Sequence, residues 1–275
     1  MTMKKIILAF DGNHFSEGAF EFARRLNELS PVMLTGVFLP QAELSSLWSR
    51  SKAIADPLMS VIERDDSSLT KENIERFTML CDDNKIAYRI HKDFYDFVLP
   101  ELRRESKYAD LIILGSETFY ENIAIQNSNI YLQQALEEAA CPVLVVPEQF
   151  DFPKSIIMSY DGKEDSIFAI KQFAYLFPEW SDLPTILVYA GKDTNGNLPN
   201  KEMIEELVRS HFSHFTSDYL EMDPRKYFPS WMMEKESAIL VCGSFGRSGI
   251  SNLFKQSFVK EIIGDHRLPV FIAHR

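Results

Sequence analysis

The sequence has little cysteine, no long apolar run and no surplus of basic charge, and each shortage excludes a class of protein. The three cysteines, Cys81, Cys141 and Cys242, are odd in number and far apart. Neither a disulfide framework nor a zinc spacing can be read from them, which fits a reducing compartment. No segment approaches the length of a membrane span. The start, MTMKKIILAFDGN, is basic, but its apolar run ends at Asp11 and is too short for a signal peptide. A cytoplasmic protein is therefore expected. Lys and Arg total 29 against 40 Asp and Glu, giving a net charge of −11. That field repels nucleic acid and anionic membranes, so neither is expected as a partner. His211 and His214 have helical spacing, but with no Cys or third His nearby in sequence no metal site is expected. No Gly-x-Ser-x-Gly elbow occurs, and no Ser/His/Asp or Cys/His set can be assembled from the sequence.

What the chain does have is a normal globular balance, 45% hydrophobic and 25% charged over 275 residues. That is enough for two domains of ordinary size. It also repeats itself. KKIILAFDGNHFSEGAFEFARRL (4–26) and KSIIMSYDGKEDSIFAIKQFAYL (154–176) each run from a basic residue through a short strand, Asp-Gly and a polar turn into an amphipathic helix. The match sets Asp11 on Asp161, Gly12 on Gly162, Ser16 on Ser166 and Ala19 on Ala169. Further along, ADLIILGSE (109–117) matches SAILVCGSF (237–245), and CPVLVVPE (141–148) matches LPVFIAHR (268–275). Matches in the same order mean an internal duplication of units of about 140 residues.

Strands are expected near 4–10, 32–39, 87–92, 111–115 and 143–147 in the first half, with helices near 14–29, 65–84, 96–107 and 129–139. In the second half strands are expected near 155–160, 185–190, 215–221, 238–243 and 270–274, with helices near 164–177, 199–212, 225–236 and 251–264. Apolar strands alternating with helices imply an α/β fold with parallel sheets covered on both faces. Residues 40–64 are the least regular stretch, consistent with a loop and a short helix. Domains at 1–149 and 150–275 follow, with a short proline-bounded linker between them. A last strand is an exposed sheet edge, so 143–147 and 270–274 are expected to pair, with Val143, Val145, Val270 and Ile272 at the seam.

The strand-Asp-Gly opening, the Gly-Ser after the fourth strand and the closing Cys141-Pro-Val-Leu-Val-Val146 resemble the universal stress protein family in its tandem two-domain form. The resemblance covers nearly the whole chain. It implies a five-stranded parallel sheet per domain, order 3-2-1-4-5, with the two domains paired as an intramolecular pseudo-dimer. It further implies a stress-response or signalling role with protein partners that the sequence does not name, and leaves a further dimer open. Many members bind ATP through Gly-x2-Gly-x9-Gly-Ser/Thr after the fourth strand, with an Asp at the end of the first strand on the adenosine; others lack the loop and bind none.

The halves fit that pattern unequally. In the first, Gly115 stands, but Thr118 replaces the second glycine, Ser128-Asn129 replaces Gly-Ser/Thr, and Glu117 and Glu121 add negative charge. In the second, Gly243, Gly246 and Ser257 fit, Arg247 and Lys255 add positive charge, and Gln256 alone departs. The candidate site for ATP or another adenine nucleotide is therefore Asp161, Gly162, Gly243, Gly246, Arg247, Ser248, Gly249 and Ser257. Glycines let backbone N–H groups approach a polyphosphate at the positive end of a helix. A glutamine at 256 costs about 1 kcal/mol or more in a left-handed conformation.

Two alternatives stay open. The glycines can be plain turn residues and the aspartates plain caps, which makes the chain a ligand-free interaction module of the same fold. Asp161-Gly-Lys-Glu-Asp-Ser166 also resembles the loop of ATP pyrophosphatases, but the paired small residues are missing and Glu164 repels pyrophosphate. No enzymatic role is expected. Phe215, Tyr219, Phe228 and Trp231 are expected in the core rather than on a stacking surface.

Overall fold

The computed structural model describes residues 3–39, 59–92, 98–120, 130–191, 198–221, 224–243 and 262–274. By contacts the chain divides into two compact units, Met1–Ala140 and Cys141–Arg275.

The first unit contains strands β1 (Lys4–Phe10), β2 (Val32–Phe38), β3 (Ala87–His91) and β4 (Leu111–Gly115), all parallel, in the order β3-β2-β1-β4. Its helices are α1 (Glu17–Leu29), α2 (Met59–Asp83), α3 (Val98–Ser106) and α4 (Ile130–Glu138). Strands β1 and β4 are buried almost throughout, as continuous apolar runs between helical layers should be. Strand β3 lies at the edge and is only half buried, with Arg89 and His91 along it. Helix α2 begins at Met59, earlier than the sequence pattern predicts. Its Phe77 is fully buried and meets Phe10, Phe20, Phe38 and Tyr88 edge-on at ring-centroid distances of 5.8–6.2 Å. Gly36 makes room for that ring: a Cβ there would lie 2.9 Å from Phe77 Cε1.

The second unit contains β5 (Val143–Val146), β6 (Ser155–Tyr160), β7 (Thr185–Gly191), β8 (Phe215–Glu221), β9 (Ala238–Gly243) and β10 (Val270–Ala273). Its helices are α5 (Glu164–Leu176), α6 (Lys201–Arg209) and α7 (Pro224–Met233). The parallel run β8-β7-β6-β9-β10 reproduces the order 3-2-1-4-5 in the numbering of the repeat. Strand β5, which closes the first repeat in sequence, pairs antiparallel with β10 in the register Val143↔Ile272, Leu144↔Phe271 and Val145↔Val270. All six residues are buried. Contact division therefore groups β5 with the second unit. A 3-10 turn, Pro178–Trp180, lies outside the expected elements. It seats Trp180 against Phe173 and Phe177, and both phenylalanines also touch Phe271 of β10.

Of the remaining aromatics, Phe228 is buried and stacks on Trp231, while Tyr219 is half buried and stacks on Tyr189. Phe215 is half buried beneath the guanidinium of Arg209. None of the three cysteines is in a disulfide; Cys81 and Cys242 are buried and Cys141 is half buried.

Candidate functional site

In each unit the strand order reverses beside the first strand of the repeat. A ligand crevice in an open parallel sheet lies beyond the carboxyl ends of the strands at that reversal. In the first unit those ends are Phe10-Asp11 on β1 and Gly115 on β4; in the second they are Tyr160-Asp161 on β6 and Gly243 on β9.

The duplication holds at atomic detail around these ends. Gly12 and Gly162 both take positive φ, +85° and +80°, to turn the chain from strand to helix. Gly115 and Gly243 both allow the fourth strand to press on the start of the first helix. A Cβ at Gly115 would lie 2.5 Å from Ser16 Oγ and Thr118 Oγ1; one at Gly243 would lie 2.5–2.6 Å from the backbone of Asp165 and Ser166. Gly243 is thus required by packing alone, in addition to the phosphate-loop and turn roles its sequence context suggests.

The carboxylates differ sharply. The Asp11 side chain is fully buried. Its Oδ1 accepts the backbone N–H of Asn13 (3.0 Å) and of His14 (2.8 Å). Its Oδ2 lies 2.8 Å from His14 Nδ1, which must carry the proton because a carboxylate can only accept. The same Oδ2 accepts the backbone N–H of Tyr120 at 3.1 Å, from the turn after β4. Tyr120 is itself buried, in the left-handed region at φ +56°. The Asp161 side chain is 38% exposed. It accepts the backbone N–H of Lys163 (3.0 Å), and its Oδ2 lies 3.5 Å from the Lys163 ammonium. Burial first, and the negative charge of Asp161 second, push the neighbouring Tyr160 phenol above its usual pKa. That phenol donates a 2.8 Å hydrogen bond to the Pro199 carbonyl.

The helices that follow start differently for a legible reason. In the first unit Ser16 caps α1, accepting the N–H of Ala19 at 3.1 Å. Phe15 just before it stacks on Phe10 at 4.8 Å. In the second unit Glu164 and Asp165 replace His14 and Phe15. Acidic residues suit a first helical turn, and α5 begins at Glu164 with Ser166 inside it. There Ser166 donates to the Lys163 carbonyl at 2.8 Å.

Of the sequence-predicted site residues, Asp161, Gly162 and Gly243 stand at the crevice of the second unit. Gly246, Arg247, Ser248, Gly249 and Ser257, with Lys255 and Gln256, lie outside the described residues, as do Glu121, Ser128 and Asn129 of the first half. Residues the sequence reading did not single out are Lys163, which pairs with Asp161, and Tyr120, which closes on Asp11. Among the described residues no group of three His, Cys, Asp or Glu could hold a metal ion, and His211 packs edge-on against Tyr175. No helix among them is long and apolar enough to cross a membrane.

No protein-family model matches the sequence, and no curated protein matches it. Solved structures do. A universal stress protein from Archaeoglobus fulgidus DSM 4304 aligns over 99% of this chain and 96% of its own, at TM-score 0.73 and 13% identity. A putative universal stress protein from Pseudomonas aeruginosa UCBPP-PA14 aligns over 99% of this chain and 93% of its own, at TM-score 0.51 and 11% identity. At those identities the likeness is one of fold: the chain has the α/β fold of these proteins over nearly its whole length.

Proposed function

We propose that the chain is a tandem universal stress protein, a cytoplasmic stress-response or signalling protein that binds ATP or another adenine nucleotide in its second unit. It acts by binding rather than by catalysis. The observation that carries this reading is the open carboxylate of Asp161 at the carboxyl end of β6, beside the strand-order reversal and the end of β9. A half-exposed carboxylate there can accept hydrogen bonds from ribose or base, whereas its counterpart Asp11 already has its acceptor sites filled. The sequence adds two glycines, a serine at the expected spacing, and Arg247 and Lys255 to meet phosphate charge.

One observation favours a second reading. Gly243 is needed for strand-to-helix packing whether or not a ligand is present, so a ligand-free interaction module would keep it too. Mass spectrometry of the natively purified protein for retained nucleotide, with calorimetry of ATP binding to the wild type and Asp161→Ala, separates the two. Nucleotide binding that weakens in Asp161→Ala supports the first reading. No retained nucleotide and no heat of binding in the wild type would leave the interaction module.

A further inference from the structure

The first unit has a crevice of the same construction as the second, yet its carboxylate faces the chain's own Tyr120. That residue follows β4, comes back over the end of β1, and gives its N–H to Asp11 Oδ2 at 3.1 Å. Its ring stacks on Tyr131 of α4 with centroids 4.5 Å apart and planes 20° from parallel. Its hydroxyl lies 3.5 Å from the carbonyl of Leu39, at the end of β2. A planar ring in a stack, a donor toward a strand-end carbonyl and a donor on the strand-end carboxylate are the contacts that a nucleoside would make in such a crevice. Tyr120 makes all three from within the chain. The left-handed backbone that points its N–H at Asp11 is uncommon for a bulky residue, so the turn is held there by these contacts rather than by its own preference.

We infer that the crevice of the first unit is occupied by Tyr120, which takes the place of a small-molecule ligand and closes that unit to nucleotides. The inference does not depend on nucleotide binding in the second unit, and the experiment removes that unit's carboxylate to read the first alone. In Asp161→Ala, 5 mM adenosine should leave the Tyr120 amide in slow hydrogen exchange and the His14 ring signals unmoved. Adding Tyr120→Gly, which removes the ring and suits the positive φ, should open the crevice. Adenosine at ten times its Kd for the opened crevice should then raise the Tm of Tyr120→Gly/Asp161→Ala by about 4 °C beyond any rise in Asp161→Ala at the same concentration. The proposal is overturned if adenosine shifts the His14 signals or speeds Tyr120 exchange while Tyr120 is present. It is also overturned if the folded double variant shows no adenosine-dependent rise in Tm beyond that of Asp161→Ala. Should the double variant not fold, the exchange and His14 measurements on Asp161→Ala still decide it.

Discussion

The ends of β1 and β6 carry the same Asp-Gly pair and put it to opposite uses. Asp11 is a buried hub that ties together the turn before α1 and the turn after β4. Asp161 is a half-exposed acceptor beside the Lys163 ammonium, which is carried on a flexible stem. The difference teaches that a duplicated strand-end carboxylate can become either a structural ligand for the backbone or an available ligand for something else. What decides between them is whether the loop after the fourth strand returns to it.

The largest effect that could break this comparison is on stability. Asp11→Ala removes the acceptor of the buried Tyr120 N–H and of the part-buried N–H groups of Asn13 and His14, and unmet buried donors cost about 1–3 kcal/mol each, so a loss of roughly 3 kcal/mol is expected. Asp161→Ala should cost no more than about 0.5 kcal/mol, as at other partly exposed sites. Urea unfolding of the two variants checks this, and equal losses would mean that the two carboxylates play the same role.

Next comes the glycine at the end of the fourth strand. Gly243→Ala drives a Cβ into the backbone of Asp165 and Ser166, which cannot move without shifting α5; a cost of about 2–3 kcal/mol is expected. Gly115→Ala meets Thr118 Oγ1, which can rotate, and Ser16, whose Cβ would lie 2.8 Å away and whose Oγ caps α1, so a smaller cost of about 1–2 kcal/mol is expected. Thermal unfolding ranks the pair; the opposite order would show the first unit to be the stiffer at this point.

A smaller effect, of about 1 kcal/mol, sharpens the functional side. Gln256→Gly should tighten ATP binding about five- to tenfold if nucleotide binding requires a left-handed backbone at 256, which costs glutamine about 1 kcal/mol more than glycine, while Asp11→Asn leaves the affinity unchanged. Calorimetry with ATP reads both, and no response to Gln256→Gly would make that loop a plain turn.

The smallest contrast is one in which the units should agree. Burial pushes the thiols of Cys81 and Cys242 up to about 12, in the first case with help from the negative charge of Asp82. Neither should react quickly with maleimide at pH 8, while half-buried Cys141 labels first. A raised thiol pKa stabilises the fold fully below the unfolded value, near 9, and that stabilisation is lost as pH rises toward 12. Stability should therefore begin to fall above about pH 9, and Cys242→Ala should blunt the fall. Fast labelling of Cys242 in the native protein would show that β9 opens.

Much of this was legible in the sequence because it rests on side-chain pattern. The repeat, the ten strands and the pairing of Val143, Val145, Val270 and Ile272 follow from apolar runs, glycines and the need to cover a sheet edge. The inequality of Asp11 and Asp161 was not legible. The donor that closes Asp11 is a backbone N–H arriving from 109 positions away, and a backbone group leaves no signature in residue type. The early start of α2 was hidden for a similar reason. Its first turn, Met59 to Ile62, has no acidic residue to announce it.

The pairing of β5 with β10 also bears on synthesis. The chain leaves the ribosome from its N-terminus at roughly 5–20 residues per second, and Val143–Val146 emerges long before Val270–Ala273. For an interval on the order of ten seconds, the side of β5 that will meet β10 offers bare N–H and C=O groups to whatever strand is nearby. A nascent neighbour on the same message carries the same VFIA segment, so a polysome translating this protein is where an exchanged, domain-swapped dimer would form. The growing chain stays exposed to that error until Val270–Ala273 has emerged.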